Sequence, residues 1–353
     1  RWSGTIVAID VPSGIDADRA VPPGEHVRAD RTVQLAWACP ASALAPARFA
    51  FGETSVADIG MPAGALAAAE RPERVEDDAI DAWPPPAPDA HKYRAGAVLI
   101  AAGSDRWTGA AELACRGAHR AGAGLVTLLT DAPLPGRWPE TIVRRLEEGA
   151  GGLTRALGET ERRHQNARVF GPGLDPERIP ELVHALEHDA IPTVLDASAL
   201  DPRLRQAVAA RPGRWLTPHH GEAARLLDRP VEEVHGDPLA AATDLAQAWR
   251  CGVVLKGAGA VVAAPDGRVR VIAAGDPAMA SGGTGDVLAG AIGAALAAPH
   301  DDALERVAAA VQAHARAGEV AARRFGRGTR ASDVADALPL VLDGLPGRRS
   351  GAW

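Results

Sequence analysis

The sequence has few aromatic residues, few cysteines and no long apolar segment. Phe, Trp and Tyr make up 4% of the 353 residues, whereas hydrophobic residues as a whole make up 46%, so the core must consist of Ala, Val and Leu. The three cysteines, Cys39, Cys115 and Cys251, are far apart. Their spacing argues against a disulfide framework or a cysteine metal site and is typical of a reducing compartment.

An excess of positive charge is also lacking. The formal net charge is -7, which argues against a general binder of nucleic acids or anionic membranes. The longest apolar run, Val287 to Ala298, is shorter than the ~20 residues of a membrane-spanning helix. Residues 1–4 show no signal-peptide pattern. We therefore expect a cytoplasmic protein with no nucleic-acid or membrane partner.

A proline-rich stretch, AWPPPAPDA at 82–90, divides the chain. Upstream of it, TIVAID (5–10) and RTVQLAW (31–37) are typical of strands. However, about sixty residues are too few for an ordinary independent core. We therefore predict three parts: the end of a domain at 1–62, a Pro/Ala-rich linker at 63–90, and a main domain at 91–345.

Apolar strands alternate with helices in the main domain. The predicted strands lie at 97–102, 124–130, 192–197, 214–218, 252–257, 260–265 and 268–274, and the predicted helices at 109–122, from 221 onward, at 286–298 and at 303–324. This alternation predicts an α/β fold with a mostly parallel sheet flanked by helices. Ligands bind such sheets at the carboxyl ends of the strands, so five loops that follow five strands would meet at one edge.

The most unusual stretch is MASGGTGDVLAG at 279–290. Three of its glycines, Gly282, Gly283 and Gly285, precede an apolar helix, and glycines in that place let backbone amides approach an anion. The pattern is neither a P-loop nor the dinucleotide fingerprint. Asp286 either caps the helix or carries out chemistry beside a bound phosphate. The residues alone leave both interpretations open.

Four further glycine- or histidine-containing loops follow strands, and each is a weak signal by itself. Lys256 in LKGAGAVVAAPDG suits a nucleotide phosphate as a point charge, or it is a surface Lys of a hairpin. His219 in LTPHHGEAARLL stands before a helix, or it is an exposed turn residue, and two histidines alone make no metal site. The other two loops are VFGPGLDPE (169–177) and AAGSDRWTGAAELA (101–114).

In content and order, these motifs resemble the NAD(P)H-hydrate dehydratase family. AAGSDRWTGAAELACRGAHRAGAGLVTLLT is followed by GPGL, VLDASAL, LTPHHGEAARLL, VVLKGAGAVVAAPDG and GDPAMASGGTGDVLAG, and the match covers about 91–343. The resemblance implies a ribokinase-like fold and dehydration of the S-form of hydrated NADH and NADPH. ADP, or alternatively ATP, would be the co-substrate. The ring hydroxyl would take the terminal phosphate, AMP would leave, and elimination of phosphate would restore the ring.

The resemblance also implies residue roles. Asp286 would be the base that engages the hydroxyl, and the amides of Gly283, Thr284 and Gly285 would stabilise the transferring phosphate. The positions that match adenine-nucleotide contacts are Lys256, Gly257, Ala258, Gly259, Ala260 and Gly285. The positions that match contacts to the hydrated dinucleotide are Ala110, Gly173, His219 and Asp286. Mg²⁺ is expected from the phosphate chemistry, and a homo-oligomer is expected because family members assemble through symmetric contacts.

The upstream segment resembles the last third of an NAD(P)H-hydrate epimerase domain, which is Rossmann-like and precedes the dehydratase in many bacteria. Its matching stretches are VAIDVPSGIDADRA, VRADRTVQLAW and VADIGMP. Asp10 matches a hydrate-contacting Asp, and Ser13 matches a position that helps to hold K⁺. The nucleotide loop of that family is absent from the sequence. We therefore expect a remnant of an epimerase domain that cannot epimerise.

Two other functions stay open. A ribokinase-like kinase for a vitamin precursor would share the glycine turn that ends in Asp, and a degenerate nucleotide-binding protein would keep the fold without turnover. KGAGAVV, TPHHGEAARLL and the epimerase-like segment favour the dehydratase over the kinase. The intact GGTGD argues against the degenerate protein.

Overall fold

The computed structural model describes residues 4–62, 72–85, 87–133, 139–149, 151–161, 165–188 and 190–344. Within these ranges the strands are β1 (Val7–Ile9), β2 (Arg31–Leu35), β3 (Glu53–Ala57), β4 (Glu73–Arg74), β5 (Ala97–Ala101), β6 (Leu125–Thr130), β7 (Thr141–Arg145), β8 (Ala167–Phe170), β9 (Thr193–Leu195), β10 (Arg214–Leu216), β11 (Gly252–Leu255), β12 (Ala260–Ala263) and β13 (Val269–Ile272). The α-helices are α1 (Thr108–Arg120), α2 (Gly152–Glu161), α3 (Leu182–His188), α4 (Arg205–Ala209), α5 (His220–Leu227), α6 (Val231–Gly236), α7 (Pro238–Trp249), α8 (Thr284–Ala297), α9 (Ala303–Phe325) and α10 (Ala331–Leu342).

A ten-stranded sheet forms the centre of the described part of the chain. Its strand order is β4-β13-β12-β11-β10-β9-β8-β5-β6-β7. Among the pairings between described residues, only those of β12 with β11 and β13 are antiparallel. The ends of β11, β10, β9, β8 and β5 therefore lie side by side at one edge, as the predicted parallel sheet requires.

Small apolar residues cover both faces of this sheet. Along β5, Val98 and Ile100 face one buried cluster, whereas Leu99 and Ala101 face the other. Successive side chains of a strand point to opposite faces, so such a strand is apolar at every position. The first cluster is packed with Ala and Val from α8, α9 and α10, and the second with Leu and Ala from α3, α5 and α7.

Helices α1 and α8 approach each other backbone to backbone. A Cβ atom added to Gly117 of α1 would lie 2.2 Å from the carbonyl oxygen of Val287, and one added to Gly290 of α8 would lie 2.0 Å from that of Ala114. Any side chain at either glycine would force the helices apart. The glycines therefore fix the position of the helix that begins at the GGTGD turn.

A second sheet of three parallel strands, in the order β1-β2-β3, belongs to residues 4–62, which we call the N-terminal unit. The unit has a small buried cluster of its own, made of Ala41, Ala47 and Phe51. Its residues Ala20, Ala43 and Leu44 are instead buried in the second cluster of the large sheet. The unit is thus continuous in packing with the main domain.

Part of the predicted linker belongs to the large sheet. Glu73 and Arg74 form β4 and pair with β13, and Val75 and Ile80 are buried in the first core cluster. Two polar residues give no strand pattern, which is why the sequence does not reveal β4. Residues 63–71 and 86 of that linker, and residue 345, lie outside the described residues.

The predicted strands of the main domain are all observed within two residues of their expected ends, and the helices at 109–122, 286–298 and 303–324 within two residues as well. The tight turn between 252–257 and 260–265 is an antiparallel hairpin, as expected. The elements that the sequence analysis did not predict are the strands β3, β4, β7 and β8 and the helices α2, α3, α4, α6, α7 and α10. Among the described residues, no helix is both long and apolar enough to cross a membrane.

Candidate active site

The carboxyl ends of β10 and β11 are joined in register beyond the strands themselves. His219 and Lys256 form an isolated parallel bridge, and the backbone N–H of Lys256 donates to the carbonyl oxygen of Pro218 over 2.8 Å. The predicted position of Lys256, at the end of a strand, is confirmed. The sheet thus brings the TPHHGE and LKGAG loops together.

Lys256 forms a buried ion pair with Asp196, which follows β9. Its Nζ lies 2.6 Å from Asp196 Oδ1, and the Thr217 hydroxyl donates to the same oxygen over 2.8 Å. The Asp196 side chain is 2% exposed, while that of Lys256 is 21% exposed. A buried carboxylate with two donors is held in one orientation, and it in turn holds the ammonium group.

The GGTGD turn forms the start of α8. Gly283 is the residue before the helix and has a φ of 94°, in the left-handed region that favours glycine. A Cβ atom there would also lie 2.3 Å from Leu113 of α1. No side chain caps this helix start within the described part of the chain. The arrangement favours the interpretation in which Asp286 serves chemistry instead of capping.

Asp286 lies in the first turn of α8, and its environment favours the protonated form. Burial, followed by the negative charge of Asp196, raises the pKa of its carboxyl group to about 7, although the charge of Lys256 opposes both effects. A carboxylate with a pKa near neutrality can accept and release a proton at neutral pH, which is the property of a general base.

Lys256 connects the hairpin loop to the GGTGD turn. Its Nζ would lie 3.3 Å from a Cβ atom added to Gly285, so the missing side chain leaves room for the ammonium group. Burial lowers the pKa of Lys256, but the charges of Asp196, Glu222 and Asp286 outweigh that effect and raise it. A permanent cation therefore stands beside the amides at the positive end of α8.

Ala110 of α1 and Gly173, in the loop after β8, lie against each other at this edge of the sheet. Gly173 has a φ of 61°, and a Cβ atom there would lie 2.8 Å from Ala110 Cβ and 2.7 Å from Trp107 Cβ. Trp107 is itself 61% exposed. The structure thus brings together two of the predicted dinucleotide-contacting residues, with an exposed indole beside them.

His219 is the capping residue of α5. Its Nδ1 accepts from the Glu222 amide over 3.2 Å, and Glu222 Oε2 accepts from the His219 amide over 2.8 Å. This reciprocal pair is a capping box, with His in the place where Ser or Thr is usual. The His219 side chain remains 61% exposed, so its ring is free to meet a ligand at the sheet edge.

The loop from Lys256 to Ala260 has a neighbour on each side. On one side, a Cβ atom on Gly257 would lie 2.6 Å from the ring of His220, which is tilted by 34° against the ring of His235 at 4.2 Å between centroids. Burial, followed by the charges of His235 and His219, lowers the pKa of His220 to about 4. On the other side, Gly259 lies against the N-terminal unit. The loop is therefore enclosed between the ring of His220 and the backbone of the N-terminal unit.

A family model described as NAD(P)H-hydrate dehydratase matches residues 98–340. The chain belongs to the NAD(P)H-hydrate dehydratase family. It is also similar to the ADP-dependent (S)-NAD(P)H-hydrate dehydratase of Xanthomonas campestris, with 39% identity over 278 residues that cover 76% of this chain and 95% of that protein. All the motifs of the predicted dehydratase region fall inside the matched range or within a few residues of it.

Longer relatives extend the similarity over the N-terminal unit. The bifunctional NAD(P)H-hydrate repair enzyme of Escherichia coli is 36% identical over 348 residues, which cover 96% of this chain and 65% of that protein. The chain thus spans 65% of the length of this relative. The similarity supports the predicted resemblance of 1–62 to part of a larger protein.

Solved structures confirm the ribokinase-like fold. An ADP/ATP-dependent NAD(P)H-hydrate dehydratase from Bacillus subtilis, co-crystallised with ATP and Mg²⁺, has a TM-score of 0.67 and 30% identity, covering 78% of this chain and 99% of that one. A ribokinase-like superfamily protein from Enterococcus faecalis also has a TM-score of 0.67, with 25% identity over 77% of this chain and 95% of that one.

Asp10 and Ser13 lie away from the dehydratase-family motifs, at the carboxyl end of β1 in the small sheet. Both side chains are exposed. Asp10 has a φ of 69°, and its Oδ1 accepts from the Leu35 amide over 3.2 Å. The structure therefore places the two predicted epimerase-type residues together on one loop, and separately from Asp286 and Lys256.

Two buried residues of the site were not singled out from the sequence. Asp196 directly follows the apolar run of β9, so an acid at a strand end was an available signal. His314 of α9 is 6% exposed, and its Nε2 has no hydrogen-bond partner among the described residues. Burial, partly offset by the Thr284 backbone, lowers the pKa of His314 to about 4. Nothing in the local sequence marks His314, because only the fold brings α9 beneath the GGTGD turn.

The donor set suits a Mg²⁺ ion that arrives with a nucleotide. The described residues contain no group of three or more His, Cys, Asp or Glu side chains that could hold a metal. Mg²⁺ is usually held by one or two carboxylates together with substrate phosphates. Asp286 fits the first requirement. The carboxylate of Asp196 lies 2.6 Å from Lys256 Nζ, whereas Asp286 has no cation that close among the described residues.

Proposed function

We propose that this chain is an ADP-dependent NAD(P)H-hydrate dehydratase, which converts the S-form of hydrated NADH or NADPH back to the intact dinucleotide. The observation that carries the proposal is Asp286, whose pKa is raised to about 7 at the end of a glycine turn and beside Lys256. The family membership of residues 98–340 supports the same reaction.

The phosphate side of the site is assigned to the turn and the hairpin loop. The amides of Gly283, Thr284 and Gly285 would face the transferring phosphate at the positive end of α8. Lys256 would add a fixed positive charge, because Asp196 and Thr217 hold it in place. Gly257, Ala258, Gly259 and Ala260 would line the rest of the adenine nucleotide.

Asp286 is assigned the proton transfer. Its carboxylate would take the proton of the ring hydroxyl as that oxygen bonds to the β-phosphorus of ADP, and the bond from this phosphorus to the bridging oxygen breaks to release AMP. The C–O bond of the ring then breaks, phosphate leaves, a proton is lost from the adjacent carbon, and the double bond is restored. Phosphoryl transfer depends mainly on positioning and charge stabilisation, which this site supplies.

The hydrated dinucleotide is assigned to the opposite side of the sheet edge. Ala110 and Gly173 offer a surface without side chains that project, and Trp107 and the ring of His219 are exposed beside it. A flat surface of this kind suits a nicotinamide ring and its ribose. None of these four residues belongs to the Lys256–Ala260 loop or to the GGTGD turn, so the dinucleotide and the adenine nucleotide would contact different residues.

Mg²⁺ would supply charge neutralisation to the phosphates, with Asp286 as the protein carboxylate nearest to them. The Bacillus subtilis dehydratase was co-crystallised with ATP and Mg²⁺, whereas the Xanthomonas campestris relative is named as ADP-dependent. We propose ADP as the co-substrate here. A K⁺ site at Ser13, the absence of epimerase activity and a homo-oligomeric state remain predictions of the sequence.

The test is restoration of hydrated NADH by the purified chain with ADP and Mg²⁺. We expect the absorbance of NADH to return, with one AMP and one phosphate formed per NADH. Repetition with ATP decides the co-substrate. A stable phosphorylated product from a thiazole or pyrimidine alcohol with ATP, without hydrate turnover, would support a vitamin-precursor kinase. Nucleotide binding without any turnover would support a degenerate protein.

A further inference from the structure

The N-terminal unit contacts the hairpin loop directly. The backbone N–H of Ala45 donates to the carbonyl oxygen of Ala258 over 2.9 Å. A Cβ atom on Gly259 would lie 2.4 Å from the carbonyl oxygen of Ala43 and 2.9 Å from Leu44 Cα. Gly259 has a φ of 96°, so both its conformation and its neighbours require glycine. The two backbones are therefore in van der Waals contact with no side chain between them.

The same corner of the N-terminal unit is anchored in the core of the main domain. Ala43 is 3% exposed and Leu44 is 1% exposed, and both belong to the buried cluster that includes Leu255 and Val261 on either side of the loop. A second backbone hydrogen bond joins Ala20 to Gly236 at the end of α6. The contact with the loop is thus part of a packed interior and not a surface encounter.

A further link reaches the segment that leads to the GGTGD turn. Burial, then the charge of Arg74, lowers the pKa of Arg48, and the charge of Glu319 on α9 opposes both. Glu319 Oε1 in turn accepts from the Gly275 amide over 2.9 Å. Arg48 follows the Ala43–Ala45 corner by three residues. The charge of Arg48 thus acts on the carboxylate that accepts from Gly275, while the direct contact of the N-terminal unit with the site is the one at the hairpin loop.

We propose that Ala43, Leu44 and Ala45 are positioning residues for the adenine nucleotide, which act by holding the Lys256–Ala260 loop. This inference rests on the proposed nucleotide-binding role of that loop. The hydrogen bond fixes the Ala258 carbonyl, and the buried Leu44 keeps the corner in place. The N-terminal unit is then a structural part of the dehydratase site, whatever other activity it has.

The first test compares two substitutions of equal size in one core cluster. Leu44→Ala removes the side chain behind the loop, whereas Leu204→Ala removes an equally buried leucine that does not touch it. We expect Leu44→Ala to raise the KM and Kd for ADP about five- to tenfold, with kcat at saturating ADP and the KM for hydrated NADH unchanged. Leu204→Ala should leave all four values unchanged. Equal ADP constants in the two variants would overturn the proposal.

The second test uses the unaltered full chain and hydrogen exchange with and without ADP. Because coupling is reciprocal, ADP should slow exchange at the Ala45 amide together with that of the 256–260 segment. Slower exchange in the loop alone would overturn the inference and leave the proposed function intact. If calorimetry detects no ADP binding to the unaltered chain, the proposed function fails, and the inference fails with it.

Discussion

Lys256 Nζ lies 2.6 Å from Oδ1 of Asp196, a residue 60 positions earlier in the chain. The Asp196 side chain is 2% exposed, so this carboxylate depends on Lys256 and the Thr217 hydroxyl for its stability inside the protein. The same ammonium group stands beside Gly285 at the start of α8. One ion pair thus joins the strand ends to the GGTGD turn.

The Asp196–Lys256 pair leads to a stability prediction. Lys256→Met leaves a buried carboxylate without its cation, and we expect a loss of about 3 kcal/mol in the free energy of unfolding, measured in urea. Adding Asp196→Asn to this variant should restore most of that loss, while ADP binding stays weak. If the double variant is no more stable than Lys256→Met, Asp196 is not the cause of the loss.

Asp286→Asn tests the base. The substitution keeps the size of the side chain and the amides of the turn but removes proton acceptance, so kcat should fall about 10²- to 10⁴-fold. The Kd for ADP, measured by calorimetry without Mg²⁺, should change little. The exposed Glu232→Gln serves as a control for the loss of one negative charge. Turnover of Asp286→Asn at the rate of the unaltered chain would remove Asp286 from the mechanism.

The pH dependence of the reaction follows from the same carboxyl group. Only its ionised form accepts the proton, so kcat/KM should rise with pH through an apparent pKa of about 7. Asp196→Asn removes a charge that raises this pKa, and the limb should move to lower pH. A profile that is flat across this range, or a limb that moves to higher pH in Asp196→Asn, would contradict the assignment.

Asp286 also lowers the stability of the folded chain at neutral pH. The carboxyl has a pKa of about 7 in the folded chain against 3.8 for an ordinary Asp, so folding becomes less favourable as pH rises between these values. Asp286→Asn avoids this loss. We expect it to be more stable than the unaltered chain by about 1–2 kcal/mol above pH 7, a discounted value because the side chain is partly exposed. This gain in the free energy of unfolding should vanish below pH 3.8. Denaturant unfolding above pH 7 and below pH 3.8 measures it.

Gly173 provides a test of the dinucleotide side. Gly173→Ala strains a left-handed backbone and introduces a methyl group against Ala110 and Trp107, so the KM for hydrated NADH should rise about tenfold with little effect on ADP. Gly158→Ala is the matched control, because a Cβ there meets nothing within 4 Å. In a helix, that change should stabilise by about 0.5–1 kcal/mol. Equal KM values for the two variants would place the hydrate elsewhere.

The sequence predicts the strands that have continuous apolar runs, such as β5 and β11, and the apolar helix α8, because burial on both sheet faces leaves a local signal. It does not predict β4, which has two polar residues and is a strand only because β13 lies beside it. The glycine turn and Lys256 also leave a local signal, because the turn precedes an apolar helix and the lysine follows an apolar strand. Asp196 gives only the weak signal of an acid at a strand end, because its pairing with Lys256 spans 60 residues. His314 gives no local signal, because its importance arises from a helix that passes beneath the turn.

The contact of Gly117 with Val287, and that of Gly290 with Ala114, has a consequence for the evolution of the site. Val287 is the residue after Asp286, and Ala114 lies one turn after Ala110, so a change of helix spacing changes the distance between Asp286 and Ala110. Neither spacing can be tuned gradually, since the smallest possible side chain already overlaps a carbonyl oxygen. The two helices therefore keep a constant separation for as long as both glycines are retained.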